Sequence, residues 1–301
     1  MAKATLTGRN TITAFAGAVV IGGGNFVAVK FSNEELAPFF GAALRFSAAA
    51  VLFFALAWVR RVPFPPKRAA WGAITYGLLG FGLAYAFLYY ALVGLAAGLT
   101  SVIMASVPLL TLVLAVAHGQ ERFTGRAVVG GALAILGIGV LSARTFAGDV
   151  APIYLVAALL GAAAAAESSV VAKGIPRLDP IMTNGIGMVA GAAMLWIVSL
   201  AFGESWALPA TTRTWLVLGY LVVIGSVSLF MLFLYVIERW TASATVYALA
   251  LMPVVAVAFG SLLAQEPITW ELVIGAVLVI SAVYVGALSK DQKGAKASLR
   301  R

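Results

Sequence analysis

Apolar residues occupy most of the chain in ten long runs, and short polar stretches separate them. A helix needs roughly 20 mainly apolar residues to cross a bilayer. The runs that reach or approach this length cover residues 12–31, 37–59, 69–90, 95–117, 127–142, 152–172, 180–202, 214–237, 242–264 and 272–288. The fifth and tenth are short and rich in Gly and Ala, which favours close packing against neighbouring helices. The pattern predicts an all-α integral membrane protein with ten transmembrane helices.

Composition supports lipid as the solvent of this chain. Hydrophobic residues make up 62% of the 301 residues and charged residues only 10%, whereas soluble domains carry about 25% charged residues. The sequence contains no cysteine, which excludes disulfides and thiolate metal sites. We predict neither a bound metal nor a cofactor. The net charge of +9 is better explained by membrane topology than by nucleic-acid binding.

Part of the sequence occurs twice. When the chain is shifted by 145 positions, residues 97–140 lie over 242–285 without a gap, and Pro108 falls on Pro253. In the same register, Gln120–Glu121 falls on Gln265–Glu266. Apolar runs resemble one another by chance, but a proline and a Gln-Glu pair at fixed spacing do not. We infer an internal duplication, with units 1–148 and 149–301.

Basic residues lie almost entirely on one side of the predicted membrane. With the N-terminus inside, sixteen Lys and Arg residues fall in inner connections and tails, and three fall outside (Lys30, Arg144 and Arg213). Cytoplasmic connections are enriched in Lys and Arg. The distribution predicts that both termini are cytoplasmic.

Each unit contains five predicted helices, an odd number, so the second unit enters the membrane from the opposite face. Inverted repeats of this kind are typical of secondary transporters, whose two halves rock about a site near the midplane. Fainter matches agree with this arrangement. Residues 25–30 lie over 168–173 at an offset of 143, and Gly80 lies over Gly225 at an offset of 145.

Several motifs resemble those of the drug/metabolite transporter superfamily, in particular its EamA family. They are the glycine-rich stretch from Gly22 to Asn25 with Lys30, the charge at Arg45, and the Pro…Gln-Glu pattern of the fourth and ninth helices. Among its members the chain looks most like the YddG exporters of aromatic amino acids and methyl viologen. The resemblance implies a ten-helix basket around a central cavity and export across a bacterial inner membrane. The second unit departs from the first, with Ser168 in place of Asn25 and Gly187 in place of Arg45.

Two prolines and two charges within the predicted helices are candidates for mechanical or coupling roles. Pro108 and Pro253 each free a helical carbonyl near mid-span, and they are either gating hinges beside the cavity or static kinks. Arg45 carries a costly intramembrane charge, and it serves either the substrate path or the packing between helices. Glu167 is a candidate for proton coupling, or it pairs with Lys173 or the cytoplasmic interface.

Polar and aromatic side chains within the helices are candidates for the substrate path. Tyrosine hydroxyls in mid-membrane need a partner or water, and serines can donate hydrogen bonds to a substrate. The candidates are Asn25, Tyr76, Tyr85, Ser101, Met104, Ser168, Ser228 and Tyr247. The alternatives are that the aromatic stripe packs against lipid or core, and that each serine bonds back to its own helix. His118, the single histidine, is expected to be solvated at the interface.

These features predict a secondary transporter that exports a small molecule. The chain has no Walker-type loop, which excludes ATP hydrolysis within it. Tyr, Phe, Met and Ser suit an aromatic or apolar amino acid, or a flat organic cation; a threonine-like amino acid or a drug is the alternative. An intramembrane enzyme is disfavoured because Asp149, Asp179 and Asp291 lie outside the helices. The expected partners are the substrate and the lipid bilayer, with the protein a monomer or homodimer.

Overall fold

The regular elements of the protein are helices. A computed structural model describes residues 9–119, 125–141, 151–174, 179–237 and 242–285, and every regular element in these ranges is helical. In chain order they are α1 (Arg9–Ser32), α2 (Pro38–Val59), α3 (Lys67–Gly94), α4 (Ala97–Ala117), α5 (Gly125–Leu141), α6 (Pro152–Gly174), α7 (Pro180–Ala201), α8 (212–237), α9 (Ala242–Ala264) and α10 (Trp270–Val283).

Seven of these helices, α1–α4 and α6–α8, are long and apolar enough to cross a membrane by length and composition. Shorter apolar stretches cover Val128–Leu141 in α5, Leu251–Ala264 in α9 and Trp270–Val283 in α10. Large apolar side chains such as Ile135, Ile197 and Leu216 are exposed on the outer surface, as expected where lipid is the solvent. The prediction of an all-helical membrane protein is therefore supported.

Three helices depart from regular α geometry near their middle. In α3 residues Leu78–Leu83 are π-helical, and in α8 residues Tyr220–Ser228 are π-helical. When the chain is shifted by 145 positions, the first segment falls on residues 223–228, within the second. In α4 the α-helix is interrupted by a turn at residues 105–106. Since such breaks leave backbone carbonyls to be satisfied by other groups, they are common at functional sites in membranes.

The main helix contacts recur between the two halves: where two helices pack on each other, so do the two that stand five places away from them along the chain. The helices α2 and α7 pack on each other, as do α5 and α10, and α4 and α9. The first helix packs on α8 and α9, and its counterpart α6 packs on α3 and α4. The first helix of each half therefore inserts between helices of the other half.

One end of the bundle, which we call the glutamate end, is held together by carboxylates at helix N-termini. Glu204 accepts hydrogen bonds from the amides of Phe39 (3.1 Å) and Phe40 (2.8 Å) at the start of α2. Glu35 accepts from the hydroxyl and the amide of Thr211, which precedes α8. These bonds, led by that from the Thr211 hydroxyl, lower the pKa of Glu35 to about 2. Carboxylates are favoured there because helix N-termini carry partial positive charge.

The cations that the structure describes at the glutamate end are both paired. Lys30 Nζ lies 2.6 Å from Glu266 Oε1, and Arg213 Nη1 lies 2.8 Å from Glu34 Oε2. At the opposite end, which we call the cationic end, the connection between α2 and α3 and the first turn of α3 carry four exposed basic residues. They are Arg60, Arg61, Lys67 and Arg68.

A central cavity between the two halves as the candidate functional site

A cavity of about 270 Å³ lies between helices of both halves. Ligand pockets typically enclose about 300–1,000 Å³, so this space suits a small molecule. Its walls are mostly apolar and aromatic. They include Phe26, Val29, Tyr85, Leu88, Met104, Leu229, Phe230, Phe233 and Met252, with Asn25, Arg45, Ser101 and Ser169 as polar members.

Four of the eight predicted pathway residues line this cavity: Asn25, Tyr85, Ser101 and Met104. Tyr76, Ser168 and Ser228 are not among the lining residues, and the side chain of Tyr247 lies outside the described residues. The structure therefore brings together the candidates of α1 and α4 and, of the two on α3, Tyr85. It leaves those of α6 and α8 in the packing around the cavity.

Asn25 joins α1 to the π-helical segment of α8. Its Nδ2 donates to the Gly225 carbonyl at 2.9 Å, whereas its buried Oδ1 has no hydrogen-bond partner among the described residues. The Oδ1 atom occupies the place that a Cβ atom of residue 225 would need. Only glycine at 225 permits this approach.

Arg45 is completely buried beside the cavity, with an exposed fraction of 0%. Its Nη2 donates to the Gly225 carbonyl and its Nε to Ser226 Oγ, both at 3.0 Å. Its guanidinium also lies 5.3 Å from the ring centre of Tyr85, within the range of a cation–π interaction. No carboxylate among the described residues lies within 4 Å of it. These contacts support the packing alternative, because Arg45 satisfies carbonyl and hydroxyl groups of the π-helical segment.

Ser168 plays the corresponding part in the other half. Its hydroxyl donates to the Tyr76 carbonyl at 3.0 Å and lies against Gly80 of the π-helical segment of α3. The hydroxyl is therefore used in helix packing. Ser101 donates to the Gly98 carbonyl of its own helix at 2.6 Å, the alternative that the sequence left open, although it also borders the cavity.

The two prolines differ in their effect on the backbone. Pro108 lies in the first turn of the second segment of α4, directly after the turn at 105–106. Pro253 lies inside an uninterrupted helix. Residues beside each proline, Val107 and Met252, line the cavity. A role for either proline as a hinge stays a prediction.

Glu167 pairs with His118, a contact that the sequence reasoning missed. The Nε2 atom of His118 lies 3.3 Å from Glu167 Oε1, and both side chains are partly exposed. The packing of α4 on α6 brings the two together, whereas the side chain of Lys173 lies outside the described residues. Glu167 does not line the cavity, although Ala165 and Ser169 on the same helix do.

The Lys30–Glu266 ion pair lies at the glutamate end, and Lys30 directly follows Val29 of the cavity wall. Glu266 also accepts hydrogen bonds from the amides of Ala97 (2.8 Å) and Gly98 (3.4 Å). It thereby ties the end of α1 and the start of α4 to the connection between α9 and α10. Val29 and Ser101, next to this ion pair, line the cavity. From sequence alone, Lys30 is a helix-end cation without an assigned partner.

The duplication could have located wall residues that individual motifs did not. At the offset of 145, Ala84, Tyr85 and Leu88 of α3 correspond to Leu229, Phe230 and Phe233 of α8, and all six line the cavity. Val107 and Met252 form a further pair of lining residues related by the same offset. The repeat register is thus the signal that identifies Phe233 and Met252.

Comparisons with known proteins agree on one family. The sequence model of the EamA-like transporter family matches twice, at residues 9–143 and 152–287. An uncharacterized transporter of Archaeoglobus fulgidus is 30% identical over 273 residues, covering 86% of this chain and 92% of the relative. The uncharacterized inner membrane transporter YedA of Escherichia coli is 28% identical, covering 90% and 88%.

A further relative has a more specific name. A probable amino-acid metabolite efflux pump of Escherichia coli is 26% identical, covering 89% of this chain and 91% of the relative. A solved structure described only as a crystal structure of a protein superimposes with a TM-score of 0.65 at 20% identity, covering 95% and 99% of the two chains, a likeness of fold alone. Since the family model matches nearly the whole described chain, this protein belongs to the EamA-like transporter family and is a multi-pass membrane transporter.

Proposed function

We propose that this protein is a secondary transporter of the bacterial inner membrane that exports small metabolites by alternating access. In this proposal, ten helices span the membrane as two inverted five-helix repeats, residues 1–148 and 149–301, and both termini are cytoplasmic. The substrate is an aromatic or apolar amino acid. Assembly as a monomer or a homodimer is compatible with the proposal.

The observation that carries the proposal is the matched lining of the cavity. Tyr85 and Phe230 occupy equivalent repeat positions, as do Leu88 and Phe233, and all four border the same space. A cavity built from equivalent positions of two inverted halves can face either side of a membrane when the halves exchange conformations. The match of the family model to each half supports the same arrangement.

The chemistry of the walls supports amino acids over the other substrates considered. Aromatic and apolar side chains dominate the lining, and no carboxylate is among the described lining residues. Its one described charged member is the guanidinium of Arg45, which disfavours a flat organic cation such as methyl viologen. The name of the Escherichia coli efflux pump points the same way. A threonine-like amino acid or a drug is the alternative substrate.

In this mechanism the Lys30–Glu266 ion pair is the candidate gate that closes the cavity at the glutamate end. The Lys30–Glu266 pair and the amides of α4 must separate before the cavity can open at the glutamate end. The prolines would let α4 and α9 bend beside the cavity as the halves move. Glu167, paired with His118 near the far end of α6, stays the candidate for proton coupling.

Counterflow in proteoliposomes tests the proposal. Vesicles loaded with unlabelled phenylalanine should accumulate labelled phenylalanine or tryptophan without ATP. Ala165→Phe, which fills the cavity from α6, should abolish the accumulation. Ala48→Phe, on the exposed surface of α2, is the matched control and should retain it. Counterflow that survives Ala165→Phe would exclude this cavity as the substrate path, and absence of exchange with every amino acid would remove the substrate assignment.

A further inference from the structure

The connection between α2 and α3 and the first turn of α3 concentrate positive charge that no carboxylate of the described residues neutralises. Arg60, Arg61, Lys67 and Arg68 lie within nine residues, and all four side chains are exposed. No carboxylate among the described residues lies within 4 Å of their nitrogens. The described cations at the glutamate end, in contrast, are both paired. These cations are therefore available to bind an anionic group that is not among the described residues.

Arg61 holds a backbone conformation that favours glycine. Its φ is 53°, and the amide of Val62 donates to the Ala57 carbonyl at 2.9 Å, which closes the end of α2. Helices that end in this way usually have glycine at the left-handed position because a Cβ atom is disfavoured there. A strained residue that persists at such a position motivates a search for a role of its side chain.

An apolar groove begins at the same end of the molecule. It is lined by Phe54 of α2, Ile74 and Leu78 of α3, and one face of α7 from Ile186 to Val198, with Phe64 of the basic connection beside them. Twelve residues of helix rise about 18 Å, close to the half-thickness of about 15 Å that one leaflet contributes to the hydrocarbon core. This stretch begins about 9 Å inside α7, since Ile186 is its seventh residue, and together with Phe64 and Phe54 it is long enough to hold one acyl chain.

Two tryptophans place this end at the membrane interface. Trp58 near the end of α2 and Trp71 in the first turns of α3 are both largely exposed, and tryptophan is enriched at the level of the lipid headgroups. Arg61 also borders a shallow hollow together with Trp58 and Val62. The cations consequently lie at headgroup level, and Phe64 of the same connection lines the groove.

We propose that this surface is a binding site for one anionic phospholipid, with phosphatidylglycerol as the reference chemistry. An acyl chain occupies the groove between α2, α3 and α7, and the phosphate lies among Arg61 and the neighbouring cations. Basic clusters next to membrane helices bind anionic headgroups in this way. The site is separate from the central cavity, and it does not depend on which substrate is transported.

The test counts the lipids retained by the purified protein, using native mass spectrometry after incubation with phosphatidylglycerol or phosphatidylcholine. We expect one phosphatidylglycerol to be retained at least tenfold more strongly than phosphatidylcholine. Arg61→Gly should weaken its retention about fivefold, as expected for the loss of one interfacial cation. Because glycine relaxes the backbone at this position, thermal stability should be unchanged or higher, so a loss of binding cannot be ascribed to unfolding.

A second variant tests the groove without changing the charge. Ala193→Trp fills the groove and should also reduce the retention of phosphatidylglycerol. Two controls should leave it unchanged: Leu262→Trp, at an exposed position of α9, and Arg213→Gln at the glutamate end. Equal retention of the two lipids would overturn the proposal. A loss with Arg61→Gly alone would mean diffuse surface attraction, and a loss with Ala193→Trp alone would mean an acyl groove without headgroup selection; either result rejects the site.

Discussion

The π-helical segments of α3 and α8 occupy equivalent places in the two halves, but different chemistry holds them. In what we call the arginine joint, Arg45 of α2 reaches across to Gly225 and Ser226 of α8. In the glycine joint, Gly187, the counterpart of Arg45, lies directly against Gly77 of α3, so closely that a Cβ atom on Gly77 would overlap the Gly187 backbone.

The two regions that the family model matches therefore share this backbone arrangement but differ in the side chains that fix it. A π-helical segment in a membrane frees carbonyl groups that must find donors or be excluded from lipid. The arginine joint supplies donors from a long side chain across a wider gap between helices. The glycine joint brings two backbones together, and Ser168 supplies a donor from α6. One half is therefore fixed by polar bonds and the other mainly by close contact.

The largest expected effect comes from adding a single methyl group to the glycine joint. Gly77→Ala should lower the free energy of unfolding by about 3 kcal/mol or more, because its Cβ meets the backbone of Gly187 and the helices must separate. Denaturant titration in detergent micelles measures the change. Gly219→Ala is the matched control, since Gly219 also directly precedes a π-helical segment but has no atom within 4 Å of its Cβ position.

The control should be neutral or slightly stabilising, because alanine is favoured over glycine in helices by about 1 kcal/mol. Equal effects of the two substitutions would mean that α3 and α7 do not approach as described. The comparison between the two joints would then lose its basis.

The arginine joint should respond to the loss of its donors. Arg45→Met keeps most of the side-chain volume but leaves the Gly225 carbonyl with one donor fewer and Ser226 Oγ without its guanidinium partner. We expect a loss of about 2–3 kcal/mol in the free energy of unfolding. A double-mutant cycle with Ser226→Ala isolates the bond between the two side chains. Strict additivity of the two substitutions would contradict the proposed coupling between α2 and α8.

The sequence identifies the positions that form the two joints, but not the contacts within them. The register of 145 placed Gly80 on Gly225, and the neighbouring offsets placed Asn25 on Ser168 and Arg45 on Gly187, because a duplication leaves such traces in the order of residues. Hydropathy could not distinguish a π-helical segment from an α-helix, since both are continuous apolar runs. The π-helical geometry of α3 and α8 is therefore visible only in the structure.

Contacts between distant helices were the other part that the sequence did not reveal. Lys30 with Glu266 and His118 with Glu167 are separated by 236 and 49 positions, and only the packing of the helices brings them together. Asn25 and Tyr85 were identifiable because polar groups within apolar helices are costly and therefore conspicuous. Ser168 was conspicuous for the same reason, but its hydroxyl is used in packing beside the cavity.

The smallest expected effect tests the bond of Ser168 in the glycine joint. Ser168→Ala removes the donor to the Tyr76 carbonyl and should lower the free energy of unfolding by about 1 kcal/mol. Ser169→Ala is a close control, because Ser169 bonds only to the Ala165 carbonyl of its own helix, and its loss should be negligible.

The comparison between these two serines separates a bond across the joint from a local one. If close contact between backbones fixes the glycine joint, the loss at Ser168 must stay well below the loss caused by Arg45→Met in the arginine joint. A loss at Ser168 as large as that at Arg45 would mean that both halves depend on polar bonds to a similar degree. The contrast between contact and polar bonding would then not hold.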